Sequence, residues 1–106
     1  MPEIDSPGHV DALSHYPAFK PYIACPDFRL WWFMGTPLGQ FDPTMNGTYE
    51  IISNLYDDLA QTFTSKWFHT GGDEVRFECY DQKPSIKEWM STHNMTSYIE
   101  LQSYYT

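Results

Sequence analysis

Basic residues are scarce in this chain: 6 Lys and Arg stand against 14 Asp and Glu, for a formal net charge of −8 over 106 residues. A chain with so little positive charge offers no basic face to a phosphate backbone, which argues against a nucleic-acid partner. The acidic surplus is compatible with an acidic compartment, although solubility is cause enough for it. No apolar run is long enough for a membrane-spanning helix, and no signal-peptide pattern is read. Low-complexity runs and internal repeats are lacking too, and with 42% hydrophobic and 18% aromatic residues the composition is that of a piece of globular enzyme. Cysteine is down to two residues, Cys25 and Cys79. An even count does not by itself decide between a disulfide and two reduced thiols. Two N-glycosylation sequons, Asn46-Gly47-Thr48 and Asn94-Met95-Thr96, lean toward a lumenal or secreted protein.

What the chain does have is His69-Thr70-Gly71-Gly72-Asp73-Glu74-Val75. The preceding Lys66-Trp67-Phe68-His69-Thr70 has the bulky composition of a short buried strand, which the glycine pair ends by admitting backbone angles that other residues resist. On a regular strand, neighbouring side chains point to opposite faces, so Asp73 and Glu74 could not share a pocket. A turn at Gly71-Gly72 lets both face one cavity. Two carboxylates held close cannot both ionise at their solution values, and the less solvated one stays protonated near neutrality. A proton donor beside a permanent anion is the pair that cleavage of a glycosidic bond needs. The plainer reading is an acidic turn that caps the following segment.

A second cluster of the same layout opens the chain. In Glu3-Ile4-Asp5-Ser6-Pro7-Gly8-His9, Pro7-Gly8 is a turn signal flanked by Asp5 and His9. Each flanking residue could reach a site at a strand end, His9 as donor or acceptor to a carboxylate. Two strand ends separated by a helix-length segment predict a βαβ unit with both ends at one mouth.

Between the clusters, residues 12–43 are rich in Pro, Gly and aromatics with little periodicity, and predict a long excursion at that mouth. Trp31-Trp32-Phe33 lies in it, either stacking on a sugar face or anchoring the loop. Residues 48–63 predict a helix, with Tyr49, Ile52, Tyr56, Leu59 and Phe63 on a stripe that packs on the sheet. Glu50, Asn54, Asp57, Asp58 and Gln61 lie mostly away from it. A second helix is predicted from Pro84 or Ser85, where Ser85 and Glu88 have capping-box spacing and Ile86, Trp89 and Met90 give an apolar face.

Together, Glu3-Ile4-Asp5-Ser6-Pro7-Gly8-His9 and His69-Thr70-Gly71-Gly72-Asp73-Glu74 resemble the two signature motifs of glycoside hydrolase family 20, the β-N-acetylhexosaminidases. The resemblance extends through Asp42-Pro43-Thr44, Asn46 and Cys79 over nearly the whole chain, and is greatest to the eukaryotic lysosomal or secreted branch. Tyr80 departs from it, standing where tryptophan is expected. The resemblance implies an α/β fold, a (β/α)8 TIM barrel. Such barrels need roughly 200 residues or more, so the chain is expected to be an internal fragment of the catalytic domain. It would cover about two βα units, the third and fourth, with Met1 an internal methionine, and would not fold stably or act alone.

The resemblance also implies roles. Glu74 is the general acid and then base, and Asp73 holds the acetamido group of the substrate, whose own carbonyl oxygen is the nucleophile. That retaining, substrate-assisted scheme is an exception to the two-carboxylate one. His9 is implied to bond Glu74 or its network, with Asp5 in support, and His69 is expected to be a buried hydrogen-bonding group in the barrel wall. The resemblance further implies a Cys25–Cys79 disulfide, no cofactor and no metal, and N-acetylhexosamine-containing glycans or glycolipids as partners. Homo- or heterodimers in the full-length protein and a lysosomal or secreted location are implied as well. An arginine and an aspartate from earlier strands, and aromatic walls from later ones, lie outside the chain. Two other readings stand beside it: a non-catalytic sugar-binding or structural relative, and a metal-dependent hydrolase with His9, Asp5, His69 and Asp73 around zinc or manganese.

Overall fold

A proline-free run from Asn46 to Thr62 forms the longest element of the chain, helix α1 (Asn46–Thr62). The computed structural model describes residues 3–25, 39–72 and 75–106. No side chain caps α1 at its N-cap, Met45. The preceding turn tethers it instead: Thr48 Oγ1 donates to the Asp42 carbonyl at 2.7 Å and Tyr49 OH to the Pro43 carbonyl at 2.6 Å. Asp42, fully buried, builds that turn by accepting from both Thr44 N–H (2.8 Å) and Thr44 Oγ1 (2.6 Å). Its other oxygen, Oδ2, lies 2.7 Å from Lys83 Nζ, which ties the start of α1 to the start of a later helix.

The predicted stripe is real but only half covered. Tyr49, Ile52, Tyr56 and Leu59 are partly buried, Phe63 is 48% exposed, and the five predicted polar positions face solvent. Ile51 and Ile52 pack on a small core of Val10, Ile23 and Phe41, and Tyr56 meets Phe68 edge to face at 4.8 Å.

The second core gathers Ala24, Cys25, Cys79, Tyr80, Ile86, Met90 and Leu101 from four segments. Around it lie α2 (Phe77–Tyr80), α3 (Pro84–Thr92) and α4 (Tyr98–Tyr105). Cys25 and Cys79, both buried, form a disulfide with 5.4 Å between their Cα atoms. The capping box expected at Ser85 and Glu88 does not form, because Pro84, with no N–H to satisfy and φ preset, opens the first turn itself. The same spacing recurs at Ser97 and Glu100, where the Ser97 half of the box forms and the carboxylate reaches the residue before the N-cap. Ser97 Oγ accepts the Glu100 N–H at 3.4 Å, while the Glu100 carboxylate accepts the Thr96 N–H at 2.7 Å.

The excursion is less shapeless than its composition suggests. Two 3₁₀ turns, Asp11–His15 and Lys20–Tyr22, organise its first half. Its base is pinned by the antiparallel bridge Ile23–Phe41, flanked by Ala24 N–H to Gln40 O and Asp42 N–H to Tyr22 O, each at 2.7 Å. Trp31, Trp32 and Phe33 fall outside the described residues.

The two expected parallel strands are the main correction. Among the described residues they amount to one parallel bridge, Glu3–His69. Residues 66–70 are exposed except Phe68, and Trp67 is 76% exposed. Parallel pairing is stable when both faces and both edges are covered, and no described residue covers the outer side of this one. No helix among the described residues is long and apolar enough to cross a membrane.

Candidate active site

The Glu3–His69 bridge sets the two motif-bearing segments side by side, with their turns at the same end. Gly71 and Gly72 make the turn of the second segment with φ of +71° and +121°. Both angles lie where L side chains are disfavoured. Space excludes a side chain at Gly71 as well, since a Cβ there would stand 2.5 Å from Asp5 Cα. The close approach brings the Gly72 N–H onto Asp5 Oδ1 at 2.6 Å. Asp5 therefore grips the backbone of the residue immediately before Asp73.

The other Asp5 oxygen, Oδ2, lies 3.8 Å from His9 Nε2, within ion-pair range for a protonated ring and too long for a direct hydrogen bond. His9 projects from a left-handed backbone position, φ 59°, after the cis Ser6–Pro7 bond and Gly8. Its side chain is 38% exposed and that of Asp5 is 22% exposed, so both reach solvent.

His69 is not the buried wall residue expected. Its side chain is 53% exposed, since the bridge it sits on lacks an outer layer. The Gly71 N–H donates to its Nδ1 at 3.0 Å, which requires an unprotonated Nδ1 and leaves the ring proton on Nε2. In that tautomer the 3.4 Å approach of Glu3 Oε1 to the same nitrogen is not a hydrogen bond. His69 thus braces the glycine turn from its own segment, as Asp5 does from the neighbouring one.

Beyond the acid pair, the chain is held from a different direction. The side-chain amide of Gln40 pairs with the backbone of Arg76: Nε2 donates to the Arg76 carbonyl at 3.0 Å, and Oε1 accepts the Arg76 N–H. Three residues further on, the disulfide joins Cys79 to the excursion. Asp73 and Glu74 themselves lie outside the described residues. Gln40 carries no signal in the sequence that would have marked it; only its burial and its partner do.

Behind the turn is a cavity of about 240 Å³, walled by Tyr49, Ile52 and Tyr56 of α1, Tyr105 and Thr106 at the end of α4, and Ser6, Thr70, Gly71 and Gly72. Among the described residues no Asp or Glu lines it, and it faces the helices. Burial pushes the Tyr105 phenol up to about 12. Among the described residues, no three His, Cys, Asp or Glu side chains gather as a metal-binding group. Asn46 and Asn94 are both exposed.

A family model described as glycosyl hydrolase family 20, catalytic domain, matches residues 1–106. The mouse β-hexosaminidase subunit alpha is 33% identical over 105 residues, covering 99% of this chain and 19% of that protein. The Arabidopsis thaliana β-hexosaminidase 1 is 34% identical over 98 residues, covering 92% of this chain and 16% of its own length. Among solved structures, the Flavobacterium johnsoniae chitobiase superposes with a TM-score of 0.74 at 33% identity, over 98% of this chain and 16% of that one. The chain spans about a fifth of the length of the curated relatives it matches.

Proposed function

The chain belongs to glycosyl hydrolase family 20, whose catalytic domain is a TIM barrel, and from that premise we propose that it carries the acid pair of a β-N-acetylhexosaminidase. The chain would supply the third and fourth βα units of the barrel. The protein would remove terminal non-reducing N-acetylhexosamine residues from glycans or glycolipids, with retention.

The observation that carries this reading is the hydrogen bond from Gly72 N–H to Asp5 Oδ1, 2.6 Å long and 67 residues apart in sequence. It joins the two motifs at the residue before Asp73. In the proposed reaction, the substrate's acetamido oxygen attacks the anomeric carbon while Glu74 gives its proton to the departing glycosidic oxygen. The product of that step is an oxazolinium-like ring and a free alcohol. Glu74, now a carboxylate, then takes a proton from the water that opens the ring. Asp73 accepts a hydrogen bond from the acetamido N–H and offsets the charge that develops there. His9, beside Asp5, belongs to the network that sets the protonation of Glu74.

Substitutions in the full-length protein test these roles. Glu74→Gln is expected to abolish cleavage of substrates with poor leaving groups, while substrates whose leaving group needs no proton retain more activity. Asp73→Asn is expected to slow all N-acetylated substrates by about 3 kcal/mol of transition-state stabilisation. An unchanged rate for Asp73→Asn would rule out the assisted mechanism.

The disulfide and the two exposed sequon asparagines support a lysosomal or secreted location. A drop in mass when the protein from its native source is treated with an N-glycosidase is the expected result, and an unchanged mass counts against glycosylation at Asn46 and Asn94.

A further inference from the structure

Gln40 is fully buried, a costly place for a primary amide unless both its groups are bonded. Both are, and to one residue: Arg76 receives a donor on its carbonyl at 3.0 Å and gives its N–H to the same side chain. A primary amide is the neutral side chain that offers donor and acceptor side by side, so it can pair with a backbone as a neighbouring strand would.

The base of this clamp is itself held. Ala24 N–H donates to the Gln40 carbonyl at 2.7 Å, Val10 N–H to Gly39 O at 3.0 Å, and Phe41 N–H to Pro7 O at 2.9 Å. The last of these bonds reaches the Pro7 turn, whose neighbour Asp5 grips Gly72. Two backbone points that flank the acid pair in sequence are therefore held, Gly72 on a carboxylate and Arg76 on an amide. Both points refer back to the first motif.

We propose that Gln40 is a positioning residue for the general acid, fixing through the Arg76 peptide the segment that carries Glu74. This inference rests on the hexosaminidase reading given above. Without the clamp the Arg76 N–H loses its Gln40 acceptor, and the Arg76 carbonyl, which also accepts the Cys79 N–H at 3.2 Å, loses one of its donors; a misplacement of about 1 Å costs on the order of 10²-fold in rate. The loss is greater for the step in which Glu74 gives its proton than for the assisted attack, because Asp73 adjoins Gly72, which Asp5 still holds.

The test uses the full-length enzyme with two substrates: diacetylchitobiose, whose leaving group needs a proton, and a dinitrophenyl N-acetylglucosaminide, whose leaving group does not. Gln40→Leu is expected to lower kcat for diacetylchitobiose by about 10- to 100-fold, to lower it distinctly less for the dinitrophenyl substrate, and to leave both KM values alone. Gln40→Glu adds a readout that survives if Gln40→Leu fails to fold. A protonated carboxyl at this position still donates to the Arg76 carbonyl and accepts its N–H; an ionised one cannot donate. Activity on diacetylchitobiose relative to wild type is then expected to be retained at acidic pH and lost as that carboxyl ionises.

Equal losses on both substrates, or a Gln40→Glu profile parallel to wild type, would overturn the positioning role and leave the hexosaminidase reading standing. A wild-type enzyme that cleaves neither substrate would overturn that reading and the positioning role with it.

Discussion

Gly71 shows at the scale of one residue how much chemistry hangs on a missing side chain. Its φ of +71° suits glycine, and the space where a Cβ would go is taken by Asp5. Gly71→Ala in the full-length protein is expected to cost about 1–3 kcal/mol of stability, read as a lower denaturant midpoint with unchanged slope. The loss should exceed that of Gly72→Ala, since a Cβ at Gly72 meets none of the described residues within 4 Å. A glycine pair before two acids announces a turn in the sequence. That Asp5 is the group pressed against it could not be read there, because the contact spans the whole excursion and α1. Gln40 was equally hidden: its identity is informative only once Arg76 is beside it.

Elements were legible where periodicity is long and unopposed. The stripe of α1 fixed its register to within a residue or two at each end, and Pro84 marked the start of α3. The second and fourth helices went unread. The α2 segment is a single turn, and α4 has residues of both kinds around its circumference, with Leu101 alone buried. What joins these short elements to the excursion is the Cys25–Cys79 bridge, which closes a loop of sequence separation 54. Replacing both cysteines by alanine is expected to lower stability by about 2–4 kcal/mol, measurable as a fall in Tm under non-reducing conditions. A variant as stable as wild type would mean that the buried contacts of α2 to α4 hold the excursion without the bridge.

At the scale of the whole molecule, aromatic residues carry the packing between helices, and four phenols, one buried and three partly buried, are shifted by it. Burial, the largest cause in each, raises Tyr49, Tyr80, Tyr98 and Tyr105. Tyr98 rises from 10.0 to about 12, helped by its 2.5 Å hydrogen bond to Asp81. The same bond, together with Lys87, holds the exposed Asp81 carboxyl below its usual range. A raised phenol pKa favours the folded state while the phenol is protonated. The Tyr98 contribution is therefore complete below pH 10 and is lost as pH rises through about 12. Tyr98→Phe should remove one late-ionising phenol from the alkaline absorbance titration of the full-length protein, flatten the decline in stability across that window, and return Asp81 toward an ordinary carboxyl.

The sequence by itself determined the chemistry on offer and its local geometry: the acids after a glycine turn, the Pro-Gly turn with Asp5 and His9, and an amphipathic α1. These depend on backbone angles and on spacing within a few residues. Only the tertiary structure decided that Asp5 and Gln40 grip the backbone on either side of the acid pair, that His69 is exposed, and that the parallel pairing shrinks to one bridge. Each of those depends on what another, distant segment covers or leaves bare, and burial is a property that no single stretch of chain possesses.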